Sequence, residues 1–244
     1  MKSVVFMGVQ ITELLLIKPI SLEELSGKVV AVDASNHMYQ FLATIRARDG
    51  SLFTDSKGNV TSHLIGLFTR TTHLLRSGIM PIYVFDGKVP ELKKAELEKR
   101  SDQKREASLL YAAAEKKGEV EEMRKYAVRS TRLTEQMLSD AEALLNALGL
   151  PIVQAPSEAE AQAAHLVNKG KAFVVASQDA DCLLFGAPKV VRNLGITPRR
   201  KKPGALSYEQ ISPELISLDE NLKHLGINQD QLIALAMMIG TDYN

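Results

Sequence analysis

The stretch KVVAVD, residues 28–33, decides the fold. It is an unbroken apolar run closed by an acid, with no alternation of apolar and polar positions. Runs of this kind read as strands buried on both faces, as in parallel sheets covered by helices on either side. PIYVFD (81–86) repeats the pattern and also ends on an acid. PIVQA (151–155) and KAFVVAS (171–177) supply a third and fourth strand, and KVVRNL (189–194) is a further candidate. Helical patterns lie between them, at 35–47, 61–77 and 157–169. The second places Leu64, Leu67, Phe68, Leu74 and Leu75 at the spacing of one buried stripe and is stopped by Gly78. Strands alternating with helices imply an α/β fold with a mostly parallel central sheet flanked by helices.

Working outward, 9–17 reads as a short helix ending at Lys18-Pro19, and 49–59 as a turn-rich loop. Residues 88–148 are rich in lysine, arginine and glutamate. Their periodicity predicts two or more long helices, broken at Gly118 and closed by Gly149 with Pro151 beyond. This block is either an insertion over the sheet or part of a crossover. A basic loop at 195–204 and two helices, 213–224 and 228–239, complete the chain.

With 244 residues the chain can bury one core, or one core and an insertion. Its single cysteine, Cys182, excludes an intramolecular disulfide and a multi-cysteine zinc site, which points to a reducing, intracellular setting. No apolar run reaches membrane-span length. The start, Lys2 then Val4, Val5 and Phe6, faintly resembles a signal peptide, but Gln10, Thr12 and Glu13 interrupt it and no cleavage site follows.

The acids fall in a pattern. In open α/β sheets, sites form outside the carboxyl ends of the strands. Asp33 and Asp86 end the first two strands, Glu158 and Glu160 follow the third, and Asp179 and Asp181 follow the fourth. Asp242, beyond the last helix, is a seventh candidate. Each has an ordinary alternative. Asp33 or Asp86 alone would be a helix cap, Ser157 with Glu160 forms a capping box, and Asp179 and Asp181 would be solvated loop acids. Four successive strand ends all delivering acids is the less ordinary fact. Clustered carboxylates raise one another's pKa unless cations neutralise them. All-oxygen donors favour Mg²⁺ or Mn²⁺, and two such ions form the clamp used in phosphodiester hydrolysis. The five histidines (His37, His63, His73, His165 and His224) are scattered and read as structural or surface residues. Setting aside seven negative charges moves the net charge from +1 to +8, so the rest of the surface would attract a phosphate backbone.

Six blocks, VAVDASNHMYQFL (30–42), TSHLIGLFTRT (61–71), YVFDGKVPELKKAELEKR (83–100), APSEAEAQAAHL (155–166), QDADCLLFG (178–186) and MIGTDYN (238–244), resemble the flap endonuclease family of archaea and eukaryotes. The resemblance implies a single 5′ nuclease domain over 1–244 with a helical arch inserted at 88–135. It implies that Asp33, Asp86, Glu158, Glu160, Asp179, Asp181 and Asp242 hold two Mg²⁺, with Mn²⁺ as a substitute. Lys93 and Arg100 match residues that contact the scissile phosphate; seven apart, they share one helix face. For Lys94, Lys99 and Lys104 a solvated charged face is the expectation. Tyr39 matches an aromatic that stacks on a base, Arg70 and Thr61 match residues near the helix that grips DNA, and Arg46 and Arg48 are further phosphate contacts. The partner implied is branched or flapped DNA, handled by a monomer off the membrane. Two departures stand out. MKSVVF precedes the family-like start Met7-Gly8-Val9, and the family's helix-two-turn-helix and sliding-clamp peptide are expected to be absent.

Two other readings compete. One is a DNA-binding fragment with weak catalysis. The other is a phosphatase of the haloacid-dehalogenase type, which expects Asp-x-Asp after its first strand where this chain has Asp33-Ala34-Ser35. No Walker phosphate loop or Rossmann glycine fingerprint occurs.

Overall fold

The computed structural model describes residues 11–194, 199–201 and 208–243. After β1 (Lys18–Pro19), the buried run forms β2 (Val29–Asp33) and leads into α1 (Ala34–Thr44). Then come α2 (Ser62–Arg76), β3 (Met80–Phe85), α3 (Lys94–Lys117), α4 (Val120–Arg129) and α5 (Glu135–Ala147). The second half is β4 (Ile152–Gln154), α6 (Ala159–Asn168), β5 (Val174–Ala176), α7 (Asp181–Leu184), β6 (Lys189–Arg192), β7 (Arg199–Lys201), β8 (Tyr208–Gln210), β9 (Glu214–Ser217), α8 (Leu218–Leu225) and α9 (Gln229–Ile239). The main sheet runs in the order β1-β9-β6-β5-β2-β3-β4. Its centre is parallel, and only the pairs made by β9, with β6 and with β1, are antiparallel.

The two-faced burial of KVVAVD is realised in β2. Val30 and Val32 pack on one side with Met38, Phe41, Leu67 and Leu145. Ala31 packs on the other with Ala159, Ala163, Val175 and Leu183. Strand alternation thus feeds two cores from one segment. Because β2, β3, β4 and β5 run parallel, their carboxyl ends share one rim. No helix among the described residues is long and apolar enough to cross a membrane.

Several expectations change. The helix at 9–17 is not formed over its described part: only a 3-10 turn, Thr12–Leu14, is present. Leu15 is extended, and Pro19 disfavours helix in the residue before it, which suits Lys18 to pairing with Leu215. Residues 9 and 10 lie outside the described part. The helix at 213–224 starts only at Leu218. Its first part is β9, which buries Ile216 completely and zips against β6. The basic loop at 195–204 is described only at 199–201, which pairs with β8. In α2 the buried face is Ser62, His63, Gly66, Leu67, Thr71 and Leu74, whereas Phe68 and Leu75 are exposed. The stripe is rotated toward small residues because α1 approaches closely along it. The charged block breaks where expected, with Gly118 ending α3 at φ 70°.

Candidate active site

Asp33 and Asp86 both cap helices, the first buried and the second exposed. Asp33 caps α1, accepting the Asn36 N–H at 2.9 Å, yet the residue is only 4% exposed and its carboxylate feels the charges of Asp86 and Glu158. Asp86 follows β3 and accepts the Ala159 N–H at 2.8 Å, so it caps α6 from a different strand. The capping box of Ser157 and Glu160, the alternative to a ligand role for Glu160, is not formed. The N-cap residue of α6 is Glu158, its side chain makes no cap bond, and Glu160 turns instead toward Asp179, Asp33 and Asp181. Gly87 makes this closure possible: its N–H donates to the Ser157 carbonyl at 2.6 Å, and a Cβ there would lie 2.0 Å from the Ala155 carbonyl oxygen.

Asp179 and Asp181, in the turn from β5 into α7, are 6% exposed each, so the solvated-loop alternative fails. Burial, then Asp86, pushes Asp33 up to about 7. Burial, then Asp181, pushes Asp179 up to about 8. Burial, then Asp179, Asp33 and Asp181, raises Glu160 as well. Buried like charges without enough counter-charge call for protons or cations.

Two cations come from the foot and the second turn of α3. Lys93 ends a 3-10 turn, Glu91–Lys93, at the foot of α3. It donates to Glu158, lies 3.5 Å from Asp242, and sits 4.7 Å over the Tyr243 ring, whose hydroxyl also donates to Glu158. Arg100, two turns on, pairs with Asp242 and with Glu96 at 3.1 Å. Burial would lower the pKa of both bases, but Glu158 at Lys93 and Asp242 at Arg100 outweigh it, so both stay charged. Their side chains are 13% and 22% exposed, against 62% for Lys94 and 68% for Lys99. The solvated-face reading thus holds for Lys94 and Lys99 and fails for Lys93 and Arg100. It also fails for Lys104, whose ammonium lies 4.7 Å over the Tyr39 ring and 3.3 Å from its hydroxyl. Asp242, held by Arg100, is drawn in far enough that its charge raises Asp179.

As the side chains stand, no three acidic, histidine or cysteine groups among the described residues close around one point at ligand distance. In this arrangement Glu158 is taken up by Lys93 and Asp242 by Arg100. The donor set itself, all carboxylate oxygens with three groups' pKa values raised, suits a hard divalent cation. His37 is buried, its Nδ1 2.9 Å from the Asp33 carbonyl, and burial lowers its pKa, consistent with a structural role.

Metal-free stability should therefore fall with pH. Asp33, Asp179 and Glu160 hold protons in the folded state that the unfolded chain gives up near pH 4. Their contribution is fullest below that pH and is lost as pH rises through about 7 and 8. In EDTA, the melting temperature should drop between pH 6 and pH 8 by several degrees. Added Mg²⁺ should restore it at pH 8 and do much less at pH 6. Indifference to Mg²⁺ at pH 8, measured by thermal melts, would contradict this electrostatic account.

The DNA-contact candidates are placed as follows. Tyr39, half-buried on α1, lies under Lys104. Arg70, half-buried on α2, faces His37. Thr61 is the N-cap of α2 and makes no side-chain cap bond. Arg46 is turned inward, donating to the Gly50 carbonyl at 2.8 Å and to Thr131 at 2.5 Å. It ties the loop after α1 to the α4–α5 junction, while Arg48 is exposed. Sequence reasoning missed Gly87, Lys104 and Tyr243. Tyr243 stands in a quoted block beside Asp242, and that adjacency was its only signal.

A parallel sheet that gathers buried carboxylates at its carboxyl rim, under a helix presenting lysine and arginine, defines the class of the 5′ nucleases. The XPG N-terminal domain family matches residues 6–107, and the XPG I-region matches 149–242. The chain is 56% identical to flap endonuclease 1 of Pyrococcus furiosus over 98% of its own length and 70% of that protein's. It superimposes on the flap endonuclease-1 structure from Methanococcus jannaschii with a TM-score of 0.74 at 46% identity, over 97% of this chain and 71% of that one. The catalytic core of Rad2 in complex with DNA substrate gives 0.69 at 29% identity, over 97% and 63%. This chain belongs to the flap endonuclease 1 family.

Proposed function

We propose that this chain is a structure-specific 5′ flap endonuclease and 5′–3′ exonuclease acting on branched or flapped DNA in replication and repair. The observation that carries the reading is the confrontation of Lys93 and Arg100 with a carboxylate rim whose inner members, Asp33, Asp179 and Asp181, are buried. Cations so placed serve a substrate phosphate that lies between them and the acids. Asp33, Asp86, Glu158, Glu160, Asp179, Asp181 and Asp242 would hold two Mg²⁺, with Mn²⁺ able to substitute. Such ions supply a lowered pKa for the attacking water and charge stabilisation at the phosphate.

The rest is work for the chain's own groups. Lys93 and Arg100 leave their carboxylate partners and orient the scissile phosphate, offering fixed positive charge where negative charge develops. Tyr39 offers a ring face on which a base can stack, once Lys104 moves aside. Arg70 and Thr61, with Arg48, are assigned to binding backbone phosphate. Arg46 supports them by shaping the loop. The domain reading is a single 5′ nuclease domain with residues 88–135 as a helical arch passing a 5′ single strand. The chain acts as a monomer inside the cell, and a sliding clamp is a further partner.

The test is cleavage of a 5′-labelled flap substrate with and without Mg²⁺, beside blunt duplex. Metal-dependent cutting near the single-strand/duplex junction is expected. Tight DNA binding with no cutting at saturating Mg²⁺ would favour a binding role instead.

A further inference from the structure

Asp181 opens α7, and Asp179 lies just before it, so the position of this one short turn sets two of the buried acids. The backbone just after this turn donates to three of its carbonyls, Phe185 to Asp181, Ala187 to Cys182 and Gly186 to Leu183, and among the described residues the Leu184 carbonyl is left for an outside donor to satisfy. Gln229, the first residue of α9, does so from outside: its Nε2 donates to the carbonyls of Leu183 and Leu184, both at 3.0 Å. The root of Gln229 is itself fixed, because Asn228 and Gln231 form a reciprocal capping box at the start of α9. Along the same helix the chain runs to Ile239 and then to Asp242, which Arg100 holds against the cluster. One amide thus joins the segment bearing Asp179 and Asp181 to the helix that delivers Asp242.

The chemistry of the amide is informative. Gln229 Oε1 is buried with no partner. An unpaired buried acceptor is costly, so an apolar side chain of the same length would serve packing better. Reversing the amide would aim its oxygen at two carbonyl oxygens, so only the present orientation makes bonds. We infer that Gln229 is a positioning residue for the carboxylate centre: it fixes α7 against α9, and with it the spacing between Asp179, Asp181 and Asp242. The inference rests on the nuclease reading above, because it is for ion binding that this spacing matters.

The experiment is Gln229→Met, which keeps length and apolar volume and removes both donors. Mn²⁺ binding is measured by calorimetry on the intact chain, with kcat and KM on a flap substrate across a Mg²⁺ series. The Mn²⁺ dissociation constant should rise about tenfold, as it does when groups that orient ligands are removed. The kcat at low Mg²⁺ should fall in step and recover as Mg²⁺ is raised, with KM for DNA within about twofold of the parent. Because Mg²⁺ also stabilises the fold, melting in EDTA is measured beside these assays, and the variant should melt within a few degrees of the parent there. Should Gln229→Met not fold, Gln229→Asn, which keeps a donor but reaches one methylene less far, is read the same way. A folded variant with Mn²⁺ affinity within twofold of the parent overturns the inference. So does a loss seen only in KM for DNA. A parent chain that binds no Mn²⁺ overturns the inference together with the reading beneath it, and so tells the two failures apart.

Discussion

Asp181→Ala should lower flap cleavage by more than about a thousandfold while leaving the fold intact. Asp181 is buried beside Asp179, and after burial its charge is the largest cause of the raised Asp179 pKa. Removing it takes away a repulsion and, on the proposed reading, a metal ligand. The variant should therefore melt no lower than the parent in EDTA at pH 8, and it should lose part of the stabilisation that Mg²⁺ gives the parent. A destabilised residue in an ordinary core would do the opposite. Cleavage at the parental rate by Asp181→Ala would remove the rim from the mechanism.

Lys93→Ala should lower kcat by about a hundred- to a thousandfold, with DNA affinity changed by no more than about threefold. The structure motivates the split. Lys93 is nearly enclosed by Glu158, Asp242 and Tyr243, so it is no part of an open phosphate-tracking surface. On the proposed reading, its ammonium acts where a single phosphate meets the carboxylates. Single-turnover cleavage and equilibrium binding, on the same substrate, separate the two effects. Weaker binding with kcat intact would make Lys93 an ordinary backbone contact.

The fold was legible because β2, β3 and β5 are buried on both faces, and such strands cannot hide their character in sequence. Four short segments then place their ends on one rim by topology alone, and the acids there could be read as a group. What stayed hidden depended on contacts across the fold. That Asp86 caps α6, and so frees Glu160 from a capping box, follows from a meeting of β3 with the β4–α6 turn that no local pattern encodes. The strand at Glu214–Ser217 was hidden because a short amphipathic stretch fits a helix as well as an edge strand, and pairing with β6 decides. Arg46 reads as a surface cation until Thr131, far along the chain, accepts its bond. Tyr39 and Lys104 likewise meet only because α3 returns over α1.

The central claim is that the rim binds two cations and releases Lys93 in doing so. Anomalous diffraction from crystals of this chain soaked in Mn²⁺ tests it most directly. Two peaks roughly 4 Å apart are expected, enclosed by Asp33, Asp86, Glu158, Glu160, Asp179 and Asp181, with Asp242 turned toward them and Lys93 no longer on Glu158. Saturating Mn²⁺ with no peak at the rim, and the Lys93–Glu158 pair still closed, would contradict it.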